Sequence, residues 1–302
     1  MAIANAIPGP PQATRIGLAG EDDRLVPVAE ALEREAQRCD LPLRIRRFEL
    51  EGPYRPGDVA RLIAAARKAR FDTLHVTAPL LGELTEMIND SAPEATSGGL
   101  FDTIFLDSQY PLRGCDAGTW SLAAALPEFL RARSADHVLI LGAGSEAHSA
   151  ALALAARGIT RLTFHDPDMS RAATLANLMQ AGTGLRCALL ASTDGIFHEF
   201  SRPGMTRGWI DGIVHAPAPD RRIPVIAGLA PPLWLIDLAS PGAETRLSSE
   251  ARRAGCAVLD GRRIAGRRGA RVLHCSLGNG KPGCALPWSA QQLPTPRQIA
   301  TR

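Results

Sequence analysis

The chain reads as an α/β protein: an N-terminal α/β substrate lobe followed by a C-terminal Rossmann-type dinucleotide-binding domain. Three observations predict this. Apolar runs of strand length alternate with amphipathic runs of helical length, the pattern of parallel sheets joined by crossover helices. Residues 138–172, VLILGAGSEAHSAALALAARGITRLTFHDPDMSRA, give a strand, a glycine-rich turn, an alanine-rich helix and a second strand. The 302 residues suit two domains of about 100–200 residues each.

The elements follow in order. Residues 14–20 (TRIGLAG) read as a buried strand, and 27–38 as a helix with Val28, Ala31, Leu32 and Ala36 on one face. Residues 43–50 (LRIRRFEL) alternate like a strand, and 58–70 place Val59, Leu62, Ile63 and Ala66 on one helical stripe. Residues 73–79 (TLHVTAP) form a third strand, 80–88 a helix, and 103–106 with 111–114 a short hairpin-like pair. A long helix over 116–133 joins the lobes. After the glycine-rich unit come apolar runs at 187–190, 209–214, 233–238 and 257–259, with helices near 245–254 and 262–273. The implied division is 14–116 for the substrate lobe and 117–261 for the dinucleotide domain. Residues 262–277 pack back on the first lobe, and 278–302 form an irregular tail rich in Gly, Pro and Gln.

Composition narrows the function classes. The net charge is +3 with interspersed signs, which does not suggest a nucleic-acid partner. The richest basic stretch, Arg262, Arg263, Arg267, Arg268 and Arg271, reads as a solvated helix face before a phosphate-binding patch. Six scattered cysteines without a CxxC pair indicate neither a disulfide framework nor a zinc site, so no metal is expected. The opening MAIANAIPGPPQA lacks a basic n-region and a long apolar core, so neither a signal peptide nor a membrane span is expected and the cytoplasm is the expected location. A homodimer is compatible with this composition.

The glycine-rich turn carries the most specific signal. Gly142 suits a tight turn, Gly144 lets backbone approach a pyrophosphate, and Ala147 is the small residue where helix meets strand. Gly142, Ala143, Gly144 and Ser145 would therefore cradle phosphate at a helix N-terminus, where free N–H groups and the helix dipole favour anions. Asp166 ends the next strand about 20 residues on, where an acid bonds the ribose 2′-OH and repels a 2′-phosphate. That favours NAD over NADP, although Arg171 stands one turn into the following helix.

Several landmarks, in order, resemble the shikimate/quinate dehydrogenase family over residues 14–277. His75 to Pro79 (HVTAP) resembles its N-V-T-x-P segment, and Asp90 stands where the family has an acid. The run from Gly99 to Thr103 resembles G-A-V-N-T, Gly114-Cys115-Asp116 resembles N-T-D, and the run from Gly255 to Gly261 resembles a G-x-x-x-x-x-G segment. The resemblance implies hydride transfer with a nicotinamide cofactor and a substrate between the lobes. It makes Thr77 a substrate-binding residue and Asp116 the catalytic aspartate. His75, at a strand end, is a second acid/base candidate. His215 and Gly261 fall on cofactor-contacting positions, His215 replacing the asparagine of N-A-T-P-x-G.

The departures from that pattern are concentrated in the substrate set. The family's lysine position is Leu81, and the chain has only two lysines, Lys68 and Lys281. The paired serines of S-x-S-P fall on Arg24 and Val26, and the asparagines of G-A-V-N-T and N-T-D on Asp102 and Gly114. The late tyrosine falls near Ser240 and the final-helix glutamine on Arg268, and Pro167 stands where NADP-using members have arginine. Arg24 and Arg268, with Thr77 and Asp102, become the candidate substrate-binding set, since arginine holds a carboxylate or phosphate bidentately. For Asp116 an N-cap of the joining helix is the competing role. The expectation is an NAD(P)-dependent dehydrogenase acting on a small hydroxy or keto acid of altered identity. The alternative is a catalytically silent NAD- or small-acid-binding sensor or scaffold, motivated by the missing lysine.

Overall fold

The computed structural model describes residues 13–50, 52–89, 100–107, 112–193, 210–217, 229–239 and 243–278. Asp90, Gly99 and Ser240 lie outside them.

The first lobe is a five-stranded sheet in the order β2-β1-β3-β4-β5. Strands β1 (Thr14–Ala19), β2 (Leu43–Arg47) and β3 (Thr73–Val76) run parallel, while β4 (Thr103–Phe105) and β5 (Arg113–Cys115) add as antiparallel edge strands. Helices α2 (Asp58–Lys68) and α3 (Leu81–Asn89) cover one face, where Val59, Leu62, Ile63, Leu84 and Ile88 are buried. Helix α1 (Asp22–Arg38) covers the other with Leu25, Val28 and Leu32. This helix starts five residues before the predicted 27–38. Pro27 sits inside it, and the amides of Arg24 and Leu25 already bond to the Glu21 carbonyl.

Helix α4 (Ala117–Phe129) leads into the second lobe. It is shorter than the predicted 116–133 at both ends: Asp116 is its cap, accepting from the Thr119 N–H at 2.8 Å, and the helix stops at Phe129 with Leu130 as its C-cap. The second sheet is six-stranded and wholly parallel, in the order β11-β10-β9-β6-β7-β8. Its strands are β6 (His137–Leu141), β7 (Arg161–His165), β8 (Arg186–Leu189), β9 (Gly212–His215), β10 (Trp234–Asp237) and β11 (Ala257–Asp260). This is the doubly wound order, and its switch point lies between β6 and β9, where a crevice opens beyond the strand ends. Helices α5 (Ser145–Ala156) and α6 (Met169–Thr183) complete the βαβ halves, with α7 (Arg246–Arg253) on the opposite face.

The last helix, α8 (Gly261–Leu277), leaves the second sheet and lies along α1 of the first lobe. Gly269 makes the crossing close: a methyl there would come within 2.5 Å of the Ala31 Cβ and 2.8 Å of the Val28 carbonyl oxygen. The basic stretch on α8 is not uniformly solvated. Arg262 and Arg263 are exposed, but Arg271 stacks 4.9 Å from the Trp120 ring centroid and Arg268 turns into the space between the lobes. No helix among the described residues is long and apolar enough to cross a membrane.

Candidate active site

The glycine-rich turn is held by backbone sterics. Gly142 has φ +114°, and a Cβ there would lie 2.0 Å from the Ala216 carbonyl oxygen, so only glycine lets β6 turn beside β9. Helix α5 starts at Gly144, which has no side chain to bond the first-turn amides. Those N–H groups sit at the positive end of the helix dipole, a fitting cradle for a pyrophosphate. Asp166 is almost wholly buried at the end of β7. Its Oδ2 accepts from the Ala143 N–H and its Oδ1 from the Asp168 N–H, both at 2.9 Å. The carboxylate thus braces the turn that it was expected to complement. Arg171 reaches back toward Gly144, within 3.6 Å of where a methyl on that glycine would stand. His215 ends β9 opposite Leu141, and its Nδ1 lies 3.0 Å from Asp237 Oδ1. These residues fit a dinucleotide on an observation of shape, the Cβ-free turn, and not on sequence alone.

A narrow cavity lies between the lobes, walled by Thr77 and Leu81 on one side and Ser145, Glu146 and Ser149 on the other, with Asp102 and Arg268. Thr77 leaves β3 beside the exit of β1. Its hydroxyl accepts from the Glu21 N–H at 3.1 Å, and Gly20 is required next to it because a methyl there would meet Thr77 Oγ1 at 2.1 Å. Leu81 puts an apolar wall where the family resemblance placed a lysine.

Asp102 is buried and fully engaged. Its Oδ1 accepts from the Thr103 hydroxyl (2.7 Å) and the Ala117 N–H (3.0 Å), and its Oδ2 from the Gly118 N–H (2.7 Å). The single Thr103 proton is given to Asp102, so His75 Nδ1, 2.9 Å from Thr103 Oγ1, is the donor in that contact. His75 is enclosed, with no exposed surface, and burial is the main cause that lowers its pKa. The expectation of a second acid/base at His75 is corrected: the ring is enclosed and braces Asp102 through Thr103 as a neutral imidazole. Its Nε2 is buried without a hydrogen-bond partner.

Asp116 is partly buried at the N-cap of α4. Burial first, then repulsion from Asp102, pushes its carboxyl up to about 7, against the opposing bond from Thr119. Asp102, not Asp116, lines the cavity, and the two carboxyl groups flank the first turn of the same helix. Gly118 sits where these side chains come together. A methyl on it would lie 3.2 Å from Arg268 Nη2, 3.3 Å from Asp102 Oδ2 and 3.5 Å from Ser149 Oγ.

The two predicted arginines do converge, but on a residue the sequence reading passed over. Arg268 grips Glu146 with both terminal nitrogens, each at 2.9 Å, and Arg24 Nη1 approaches the same carboxylate at 3.4 Å. Arg24 also holds Glu21 at 3.2 Å. The expectation of guanidinium groups presented to an outside acid is corrected accordingly: both are engaged by the chain's own carboxylates. Burial alone would raise the Glu146 carboxyl, but Arg268 and Arg24 hold it below the usual carboxylate range. A second narrow cavity is lined by Arg24, Glu146, Gly261 and Arg268 and shares Glu146 and Arg268 with the first. The signal for Glu146 was present as the one acid in an otherwise alanine-rich helix, in its first turn.

A Rossmann domain with an intact glycine turn, facing a second lobe across a polar cavity, defines a two-lobed nicotinamide-dependent oxidoreductase fold. No protein-family model matches the chain. Among curated proteins it is 32% identical over 235 residues to a shikimate dehydrogenase (NADP(+)) of Streptomyces avermitilis, covering 76% of this chain and 78% of that protein. It is 27% identical over 226 residues to a quinate/shikimate dehydrogenase (NAD(+)) of Corynebacterium glutamicum, covering 73% and 77%. Among solved structures it matches quinate dehydrogenase from Corynebacterium glutamicum in complex with NAD, with a TM-score of 0.72 and 23% identity over 96% of this chain and 99% of that one. The chain belongs to the shikimate/quinate dehydrogenase family of oxidoreductases.

Proposed function

We propose that the protein is an NAD-dependent dehydrogenase of altered substrate specificity, with the dinucleotide along residues 117–261 and the substrate held against residues 14–116 and helix α8. The observation that carries this reading is the turn that Gly142 makes beside β9, leading into helix α5, whose first residues Ser145 and Glu146 wall the cavity that Thr77 and Asp102 also line. Gly142, Ala143, Gly144 and Ser145 would hold the pyrophosphate, Asp166 the ribose, and His215 and Gly261 the nicotinamide end. When bound, the cofactor supplies the hydride acceptor or donor.

The remaining chemistry falls to the chain's own groups. Oxidising an alcohol requires a base for the hydroxyl proton, and reducing a ketone requires an acid. Asp116, with its carboxyl near 7, is available in both forms close to neutrality, the condition under which general acid–base catalysis is most effective. It takes the role that Leu81 does not perform. Asp102, fixed by three donors, and Thr77 orient the reacting carbon. The preference for NAD rests on the negative charge of Asp166 at the end of β7, which would repel a 2′-phosphate while its oxygens brace the turn.

A second reading, a silent binding protein on the same fold, is favoured by Leu81 and by the closed ion cluster at Glu146. A turnover panel of hydroxy acids, polyols and their ketones with NAD⁺ or NADH separates the two. The enzyme reading expects turnover that Asp116→Asn lowers by about 10²–10⁴ while NAD⁺ binding is kept. Nucleotide binding without turnover of any panel member favours the silent protein.

A further inference from the structure

The Arg24–Glu146–Arg268 cluster sits where both cavities meet, and Glu146 and Arg268 wall both of them. A carboxylate in this position satisfies two buried guanidinium groups from inside the protein. Among the described residues lining the two cavities, the cations are Arg24 and Arg268 and the anions are Glu146 and Asp102. Arg24 is further neutralised by Glu21. The lining therefore has no spare positive charge. An external carboxylate entering here would be desolvated beside Glu146 and Asp102 with no free donor fork to receive it.

We propose that Glu146 is the chain's built-in occupant of its own anion notch, and that the substrate the cleft takes is an uncharged hydroxylated alcohol or ketone without a carboxylate at that end. This rests on the dehydrogenase reading above and narrows its substrate class. Glu146 acts as a specificity-determining residue. It fills the fork of Arg268 with the bidentate geometry that an acid substrate would need, and like charge turns such a substrate away. Nothing else on the cavity wall replaces the lost anion site, since Thr77, Ser145 and Ser149 are neutral and Leu81 is apolar.

The test uses the whole chain and two kinds of probe. The first is sulfate, followed by thermal unfolding. Wild type gains no saturable stabilisation through this notch, whereas Glu146→Gln uncovers the two arginines and gains sulfate stabilisation that adding Arg268→Gln removes. The double variant also controls for folding, because it leaves only one buried arginine, with Glu21 as its partner. The second compares shikimate with its methyl ester, the same ring with the charge removed, by calorimetry in the presence of NAD⁺. The ester binds wild type at least about tenfold more tightly than the acid, and Glu146→Gln reverses that order. A wild type that prefers the acid overturns the proposal, as does a folded Glu146→Gln variant that gains no sulfate binding. Titration of wild type with NAD⁺ alone reads the dehydrogenase assignment separately: its failure sinks that assignment and leaves the sulfate result to judge the notch.

Discussion

Replacing Asp116 by asparagine isolates the feature on which the proposed chemistry depends. Asparagine is isosteric and still accepts from the Thr119 N–H, so the cap of α4 is retained. Only the titration is lost. The carboxyl is held at about 7 in the folded chain, chiefly by burial and then by Asp102, against about 3.9 for an unfolded aspartate. The folded state thus binds this proton more tightly than the unfolded state. The contribution of Asp116 to stability is full below the unfolded value and falls as pH rises through about 7. A gap of about three pH decades corresponds to at most about 4 kcal/mol, and sharing of charge with Asp102 brings the expected loss to about 2–4 kcal/mol. The unfolded carboxyl ionises from about pH 4, so urea unfolding from about pH 5 to about pH 9 captures about 1–3 kcal/mol of it. His75 and His274, whose pKa values are lowered by burial, give an opposite slope in both proteins, so the difference between the curves belongs to Asp116. The variant is expected to gain on wild type by that amount across the window. Parallel curves would refute the claim that the site keeps a proton on this carboxyl near neutrality, and with it the role assigned in turnover.

Three further outcomes follow from the same geometry. Gly142→Ala forces a Cβ into the Ala216 carbonyl oxygen at positive φ and is expected to cost about 2–4 kcal/mol by thermal or urea unfolding, with loss of nucleotide binding. Asp166→Asn removes a charge and at least one of two acceptor bonds under the turn; calorimetry is expected to show NAD⁺ binding weakened about tenfold and the NADP⁺ to NAD⁺ affinity ratio raised. Cys115 and Cys275 bring their sulfur atoms to 3.1 Å, one residue before Asp116. A mild disulfide oxidant is expected to couple them with loss of two hydrogens, read by intact mass, and Cys275→Ser abolishes that product.

The fold was legible because its signals are local and repeated. The apolar runs of β1, β3, β6 and β7 and the stripe Val59, Leu62, Ile63, Ala66 on α2 depend on short-range periodicity. Helix α1 begins before the sequence predicts because Pro27 resembles a helix-opening proline, yet here it is tolerated a turn and a half inside. The glycine turn is legible for the same local reason, whereas Thr77, Asp102 and Arg268, which line one cavity, and Asp116 at the cap of α4 are pointed to by the family resemblance. What the sequence withheld was long-range pairing. Glu146 lies 122 positions from both Arg24 and Arg268, and nothing in its own segment announces that two distant departures from the family pattern answer to it. The enclosure of His75 was equally hidden, because a strand-end histidine looks the same whether or not a distant strand such as β4 pairs beside it. Substitutions at Arg24 and Arg268 look like two losses in a substrate clamp, and in three dimensions they are two halves of one ion cluster.

The central claim is that this fold still binds a nicotinamide dinucleotide on the Gly142–Gly144 turn. Calorimetric titration of the purified protein with NAD⁺ and with NADP⁺ tests it most directly. The account predicts saturable one-site binding of NAD⁺, tighter than NADP⁺, that Gly142→Ala abolishes. Failure of both nucleotides to bind the folded protein would contradict it.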